Sequence, residues 1–500
     1  MRAQHGDTGV VGLDEINQFN RSDDRRVLLR SATIISVDPA VGNLAQGDIL
    51  VEGKKIVAVA PDLSDAARNA DTLVVDASDR VIVPGFQDTH RHCWQGGVRR
   101  LLPDVSSVGE YLTLFHDKLA RVYRPEDIYL GTLVVALSCI DTGTTNVHDL
   151  MHNPRTPEHA DAAVTAMLDA GIRATHSQCG IFSGEEGRQW PGDLARIKDR
   201  FFSSDDQLLS LRLGVIGSGN FSPDSIALNA ERLAFARDLG IGLTSDGVIG
   251  KASSDNIIEL GRAGLLKEDV LLTHCLDLSD EAWQVMADTG VGVALTPTSD
   301  AQFGIADSIS PIQKVLDLGI TSAGIGVDTD INLTSDLFTQ MHALVTIQRM
   351  LIFNRRFREG LVDARGINAR EVLEFATLNG ARATGNAHKV GSLTPGKEAD
   401  LVVVTAEEIN TLPLNNAYAT VTSAADTRNV EAVMIGGKFQ KWDGQIVGHD
   451  MRELARRVAE SRDYLLEQAE LTYDMFDAPA VKMAGRDYHG HGPDSQGDGH

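Results

Sequence analysis

Val81-Ile82-Val83-Pro84-Gly85-Phe86, followed at once by Gln87-Asp88-Thr89-His90-Arg91-His92, is the stretch on which the reading of this chain turns. The apolar run has the length and character of a buried β-strand that ends in polar residues. Residues two apart on a strand project to the same side, so His90 and His92 are expected to leave the strand's end together. Two neutral imidazoles at that spacing can grip one divalent ion of the zinc type. A pair of ordinary core or surface histidines is the plain alternative, and the rest of the chain has to decide between the two.

Seven more apolar runs end in the same way, at 144–149, 172–176, 211–216, 240–246, 270–275, 291–297 and 322–328. Stretches long enough for a helix separate them, among them 157–170, 225–239 and 279–289. Strands alternating with helices imply parallel pairing through right-handed crossovers. Eight such units predict an α/β fold, a (β/α)8 TIM-like barrel whose chemistry sits at the C-terminal ends of its strands. His90 and His92 fall at the end of the first strand, His274 at the sixth and Asp328 at the eighth, which favours the metal reading.

The flanks of the barrel read differently. Strand and glycine-turn texture, a hairpin signal, runs through 27–60 and returns at 391–404 and 430–447. The expected organisation is a small composite β-domain built from both chain ends (27–80 and 386–448) around a barrel over 81–385. A charged, periodic terminal helix over 449–477 and a disordered Gly-, His- and Asp-rich tail over 478–500 complete it. The tail's histidines can bind stray metal only incidentally.

Composition narrows the function. The chain has 500 residues and a formal charge of −24, which argues against nucleic acid or an anionic membrane as partner, since both demand basic patches. No apolar run reaches the ~18 residues of a membrane span, and the first residues lack a secretory signal's apolar stretch. The four cysteines, Cys93, Cys139, Cys179 and Cys275, form no CxxC pair and suit a reducing cytoplasm. The expectation is a cytoplasmic enzyme with a small-molecule substrate, assembled as a homo-oligomer. Arg91, Arg99 and Arg100 follow the metal motif and are read either as an anion site or as partners of neighbouring acids. With 5% aromatic residues, no stacking platform for a substrate is visible.

The motifs resemble the amidohydrolase superfamily, in its branch of triazine hydrolases and cytosine- or adenosine-type deaminases. The resemblance spans about Val27 to Gly448. It rests on Pro84-Gly85-Phe86 with Asp88-Thr89-His90-Arg91-His92, on Trp94-Gln95, and on His152-Asn153 with Thr156-Pro157-Glu158-His159-Ala160-Asp161. Thr273-His274-Cys275, Val327-Asp328 and Gly396-Lys397-Glu398-Ala399-Asp400-Leu401-Val402 complete it. It implies a mononuclear metal hydrolase, with one zinc ion and iron or manganese as alternatives.

One departure stands out. The family places a third metal-binding His at the end of the fifth strand and a proton-shuttling Glu shortly after it. Here the stretch reads Gly242-Leu243-Thr244-Ser245-Asp246-Gly247. Three resolutions are open: His274 serves as the missing ligand, Asp246 or Ser245 contributes an oxygen, or the metal has been lost. In the intact mechanism the metal set is His90, His92, His274 and Asp328. Such an ion lowers the pKa of water from 15.7 towards about 7. Asp328 takes the proton, and His274 orients the hydroxide or binds the developing oxyanion. Gln95, Asp246 and Ser245 are the candidate substrate contacts. The expected function is metal-dependent hydrolysis at an sp2 carbon of a cyclic amidine, amide or substituted heterocycle, breaking a C–N (non-peptide) or C–halogen bond. The alternative is a non-hydrolytic lyase, decarboxylase or cyclase on the same barrel, with or without metal.

Overall fold

The computed structural model describes residues 2–3 and 11–476, apart from 70, 106, 183–186, 188, 218–223, 305–308, 333, 361–364 and 473. The tail expected to be disordered, 478–500, lies outside the described residues. Eight parallel strands close into a barrel: β1 (Phe86–Arg91), β2 (Thr144–Met151), β3 (Arg173–Gln178), β4 (Leu209–Ile216), β5 (Gly242–Ile249), β6 (Val270–Leu276), β7 (Gly292–Leu295) and β8 (Ala323–Ile325). Ile325 pairs with Asp88 to join the last strand to the first. Helices lie between successive strands, and their ends follow local chemistry. Pro157 opens the helix Pro157–Ala170, and Gly171 closes it with a left-handed φ of 69°. Ser279 caps Asp280–Thr289 by accepting from the Ala282 amide.

The expected first strand divides in two. Arg80–Pro84 belongs to the β-domain, where Val83 pairs antiparallel with Val402 and Ile82 with Val403. The barrel begins only at Phe86. One apolar run thus serves two cores, and Gly85 is the joint. Its amide donates to the Asp400 carbonyl (3.0 Å), and a Cβ at Gly85 would stand 2.0 Å from Thr145 Oγ1. Only glycine lets the chain pass between the two sheets there.

The β-domain is one ten-stranded sheet drawn from both ends of the chain. Its core packs Val27, Leu29, Ile34, Ile49, Met434, Phe439 and Trp442. Arg173, at the start of β3, locks the barrel to it: Nε and Nη2 donate to the two Asp400 oxygens (2.8 and 2.9 Å), and Nη2 also donates to Glu398 (2.7 Å).

A terminal helix, Met451–Gln468, packs back on the barrel. Leu465 and Leu466 join a buried cluster with Trp94, Tyr111, Phe115 and Phe303. Ser461 Oγ donates to Asp127 (2.7 Å), and the Arg124 guanidinium lies 3.6 Å from the centre of the Tyr464 ring. Among the described residues no helix is long and apolar enough to cross a membrane.

Candidate active site

The strand ends deliver five side chains to one point. His90 Nε2 lies 3.4 Å from an oxygen of Asp246 and 3.4 Å from one of Asp328. His92 Nε2 lies 3.5 and 3.2 Å from the same two carboxylates, and His274 Nε2 is 3.2 Å from Asp246. Ligand atoms of His90, His274 and Asp328, and likewise of His90, His92 and Asp246, lie within 4.8 Å of one another. All five residues are buried.

Each ring is aimed by a partner behind it. His92 Nδ1 donates to the Leu150 carbonyl (2.9 Å), which leaves the Nε2 lone pair facing the cluster. His274 Nδ1 donates to Asp300 (2.9 Å), and Thr296 Oγ1 donates to the same carboxylate oxygen (2.8 Å). Ser299 Oγ donates to Asp328. The backbone is also held: the Asp328 amide donates to the His90 carbonyl, and the His92 amide to the Asp328 carbonyl, both at 2.9 Å. Asp328 and His274 carry φ values of 76° and 69°. That left-handed conformation costs non-glycine residues energy and is a feature of functional sites.

His90 makes no hydrogen bond through either ring nitrogen, although it is fully buried. Burial by itself would raise the Asp328 carboxyl, but His90 and His92 outweigh it and hold the group well below the usual carboxylate range. Asp246 is lowered in the same way: burial opposes, and His90, His274 and His92 prevail. Burial disfavours the cations of His92 and His274. The adjacent carboxylates nevertheless raise both, led by Asp328 for His92 and by Asp246 and Asp300 for His274. Two buried carboxylates therefore draw positive charge into the cluster. A divalent cation would answer that demand, since its two charges would balance both acids and the unpartnered ring nitrogens of His90 offer it a lone pair. The donor set, imidazole nitrogen and carboxylate oxygen, suits zinc, iron or manganese.

A family model for the amidohydrolase family matches residues 81–440. The chain belongs to the amidohydrolase family. It is similar to the 5-methylthioadenosine/S-adenosylhomocysteine deaminase of Moorella thermoacetica, 27% identical over 453 residues, covering 87% of this chain and 98% of the relative. An adenosine deaminase from Xanthomonas campestris with bound zinc shares the fold: TM-score 0.76, 21% identity, 88% of this chain and 98% of that one. So does a mutant atrazine chlorohydrolase from Arthrobacter aurescens complexed with zinc and atraton: TM-score 0.75, 21% identity, 87% and 100% covered. This amidohydrolase is a hydrolase.

The departure on the fifth strand is now concrete. Asp246 reaches the cluster from β5, whereas Ser245 does not line the pocket and its Oγ finds no partner. Adjacent residues of a strand face opposite sides. Thr244 and Asp246 therefore share the inward face, where Thr244 Oγ1 lies 3.0 Å from His148 Nε2, and the expected role for Ser245 falls away. Gln95 is also corrected. It lies one layer behind the pocket, donating through Nε2 to Tyr111 and accepting from Thr329 Oγ1 (2.5 Å). Arg91 offers no anion site, since Asp88 (2.9 Å) and Asp330 (2.6 Å) occupy it in the core.

A pocket opens above the cluster. Its wall supplies residues that sequence reasoning missed: Tyr111, His116, His152, Phe182, Phe303 and Thr329. The aromatic platform thought absent is thus present, assembled from separate segments. The His152 ring lies 4.1 Å from that of His92 and 4.6 Å from that of His116. Burial, then His92 and Arg155, push His116 down to about 3. Burial, then His92 and His116, take His152 well below its ordinary value. Both are neutral imidazoles at pH 7.

Proposed function

We propose that this enzyme hydrolyses an sp2 carbon of a nitrogen heterocycle, with deamination as the favoured reaction, and that His90, His92, Asp246 and Asp328 hold its one divalent ion. The observation that carries this reading is the second carboxylate. Asp246 stands at the fifth-strand position and faces His90 Nε2 from 3.4 Å, as Asp328 does from the eighth strand. Zinc is the expected ion. A second hard oxygen donor also improves the fit to iron or manganese.

When bound, such an ion supplies Lewis acidity and a water activated near neutral pH. The chain's own residues do the rest. Asp328, kept ionised and oriented by Ser299, accepts one proton from the attacking water. Its second oxygen stays in register with His90 and His92. His274, fixed through Nδ1 by Asp300, presents Nε2 to the oxygen that adds to the carbon. As the C–N bond breaks, Asp328 returns its proton to the leaving nitrogen. Ammonia departs, and the remaining hydroxyl proton stays with the product. No glutamate lines the pocket among the described residues, so proton transfer falls to Asp328. The four cysteines, all buried and unpaired, suit the cytoplasm. Assembly with copies of itself is checked by light scattering.

The test is release of ammonia from a panel of aminated purines and triazines by protein loaded with one equivalent of zinc, iron or manganese. Metal-dependent turnover of at least one member is expected. Chelator-insensitive turnover, or release of carbon dioxide in place of ammonia, would favour the non-hydrolytic alternative.

A further inference from the structure

Val108, Tyr111, Leu112 and His116 line the pocket from a single segment. It consists of a short helix, Val108–Tyr111, and a π-helical turn, Leu112–His116. Helices of one turn are not stable by themselves, because so few hydrogen bonds offset the entropy of ordering them. Something outside the pocket must therefore hold this wall in place. The segment Leu119–Val122 packs on the turn, and the terminal helix Met451–Gln468 packs both on Leu119–Val122 and on Cys93–Val98, the loop that follows His92. Leu465 and Leu466 belong to the same buried cluster as Leu119, Ala120, Phe115 and Tyr111. The Tyr111 and Phe115 rings stack within it, 5.5 Å between centres. The ring that faces the pocket is thus backed by a core that the terminal helix completes.

Polar groups fasten the helix as well. Ser461, itself buried, donates through Oγ to Asp127 (2.7 Å). Asp127 is fully buried. It also accepts from the Arg124 amide, Nε and Nη2 (2.8, 2.9 and 2.8 Å), and the same guanidinium covers the Tyr464 ring from 3.6 Å. A buried carboxylate with that many donors fixes the helix's rotation and register, which burial of two leucines alone does not do. We propose that the terminal helix is a strap that sets the substrate wall, with Leu465 and Ser461 as its positioning residues. Through Leu119–Val122 they hold Tyr111, Leu112 and His116 against the pocket, and so govern how tightly substrate is bound. The five clustered side chains stand at the ends of barrel strands and are held by the closed sheet, so the strap acts on the wall and not on the metal. This rests on the proposed function only in taking that pocket as the place where substrate binds.

Hydrogen exchange of the full chain, supplied with one equivalent of zinc, tests the strap without reference to the reaction. In Leu465→Ala the amides of 108–122 should exchange at least tenfold faster than in the parent, with β6 and the zinc content unchanged. Acceleration of less than tenfold would overturn the proposal. Glu467→Ala, on the exposed face of the same helix, should match the parent, and an equal opening there would overturn it too. If Leu465→Ala opens β6 or changes the zinc content, Ser461→Ala carries the same expectation and the same veto. Kinetics supply a second readout. On whichever aminated purine or triazine the parent deaminates, Leu465→Ala should raise KM at least tenfold with kcat within threefold, whereas simple loss of folded enzyme would lower kcat and leave KM alone. A KM within tenfold of the parent's would overturn the proposal. If the parent turns over no member of the panel, the proposed reaction fails, and the exchange result decides this inference by itself.

Discussion

Two buried charged clusters sit at opposite ends of this barrel, and they are finished to different degrees. At the β-domain end, Arg173 meets Asp400 and Glu398 through three hydrogen bonds of 2.7–2.9 Å, and the Gly436 amide adds another to Asp400 (2.8 Å). Its positive charge sits directly against negative charge. At the mouth, His90, His92, His274, Asp246 and Asp328 are also buried, yet neither ring nitrogen of His90 has a hydrogen bond and no Arg or Lys lines the pocket among the described residues. Burial of charge is common to both and so does not mark function. Unused bonding capacity does. The first cluster is a lock, and the second is a receptor for something the chain does not contain.

The comparison is broken most strongly at Asp328. Asp328→Asn removes the proton acceptor without changing shape, and turnover should fall by roughly 10³–10⁴-fold, about 4–5.5 kcal/mol of barrier, while the melting temperature stays close to the parent's. Activity within tenfold would take Asp328 out of the chemistry. The lock should respond in the opposite way. Asp400→Ala strands the Arg173 guanidinium and should cost about 3–5 kcal/mol of stability in denaturant titration, with metal content per folded chain unchanged. A stable Asp400→Ala chain would mean the two clusters do not differ as described.

A smaller effect is expected at His274. His274→Ala should lower turnover about 10²-fold and leave the metal in place, because the other four side chains still surround it. Loss of metal with the activity would make His274 a ligand, one of the roles the sequence left open. The smallest effect concerns the neutral histidines beside the receptor. His116 is pushed down to about 3 by burial, then His92 and Arg155, so below an unfolded pKa of about 6.5 the unfolded chain binds a proton that the folded chain refuses. Stability must therefore fall as pH drops through this window, by about 1.4 kcal/mol per pH unit for this group. Between pH 6.5 and 5, His116→Phe should lose about 2 kcal/mol less than the parent. Equal losses would show that His116 is not kept neutral by its surroundings.

The eight barrel strands were legible because parallel strands buried on both faces read as continuous apolar runs. The same property misplaced the first one, since Val81–Pro84 and Phe86 are equally apolar but feed different sheets, and only tertiary pairing separates them at Gly85. His90, His92, His274 and Asp328 were legible because each ends a strand. Asp246 was legible as one of the open ways to fill the fifth-strand gap, beside Ser245, and alternation along β5 favours it over Ser245. Gln95 was misread because spacing cannot tell a lining residue from the one behind it. The wall residues Tyr111, His116, Phe182 and Phe303 come from connections between strands, which carry no periodicity, so the aromatic platform could not be seen before the chain was folded.

The central claim is that Asp246 has taken over the fifth-strand ligand position. Metal analysis of the purified wild type, Ser245→Ala and Asp246→Ala under identical handling tests it most directly. The expected result is about one equivalent of a divalent zinc-like metal in the first two, and loss of most of it in Asp246→Ala, where one donor of the set is gone. A wild-type protein that takes up no metal, or an Asp246→Ala protein that holds it as firmly as the parent, would contradict the account.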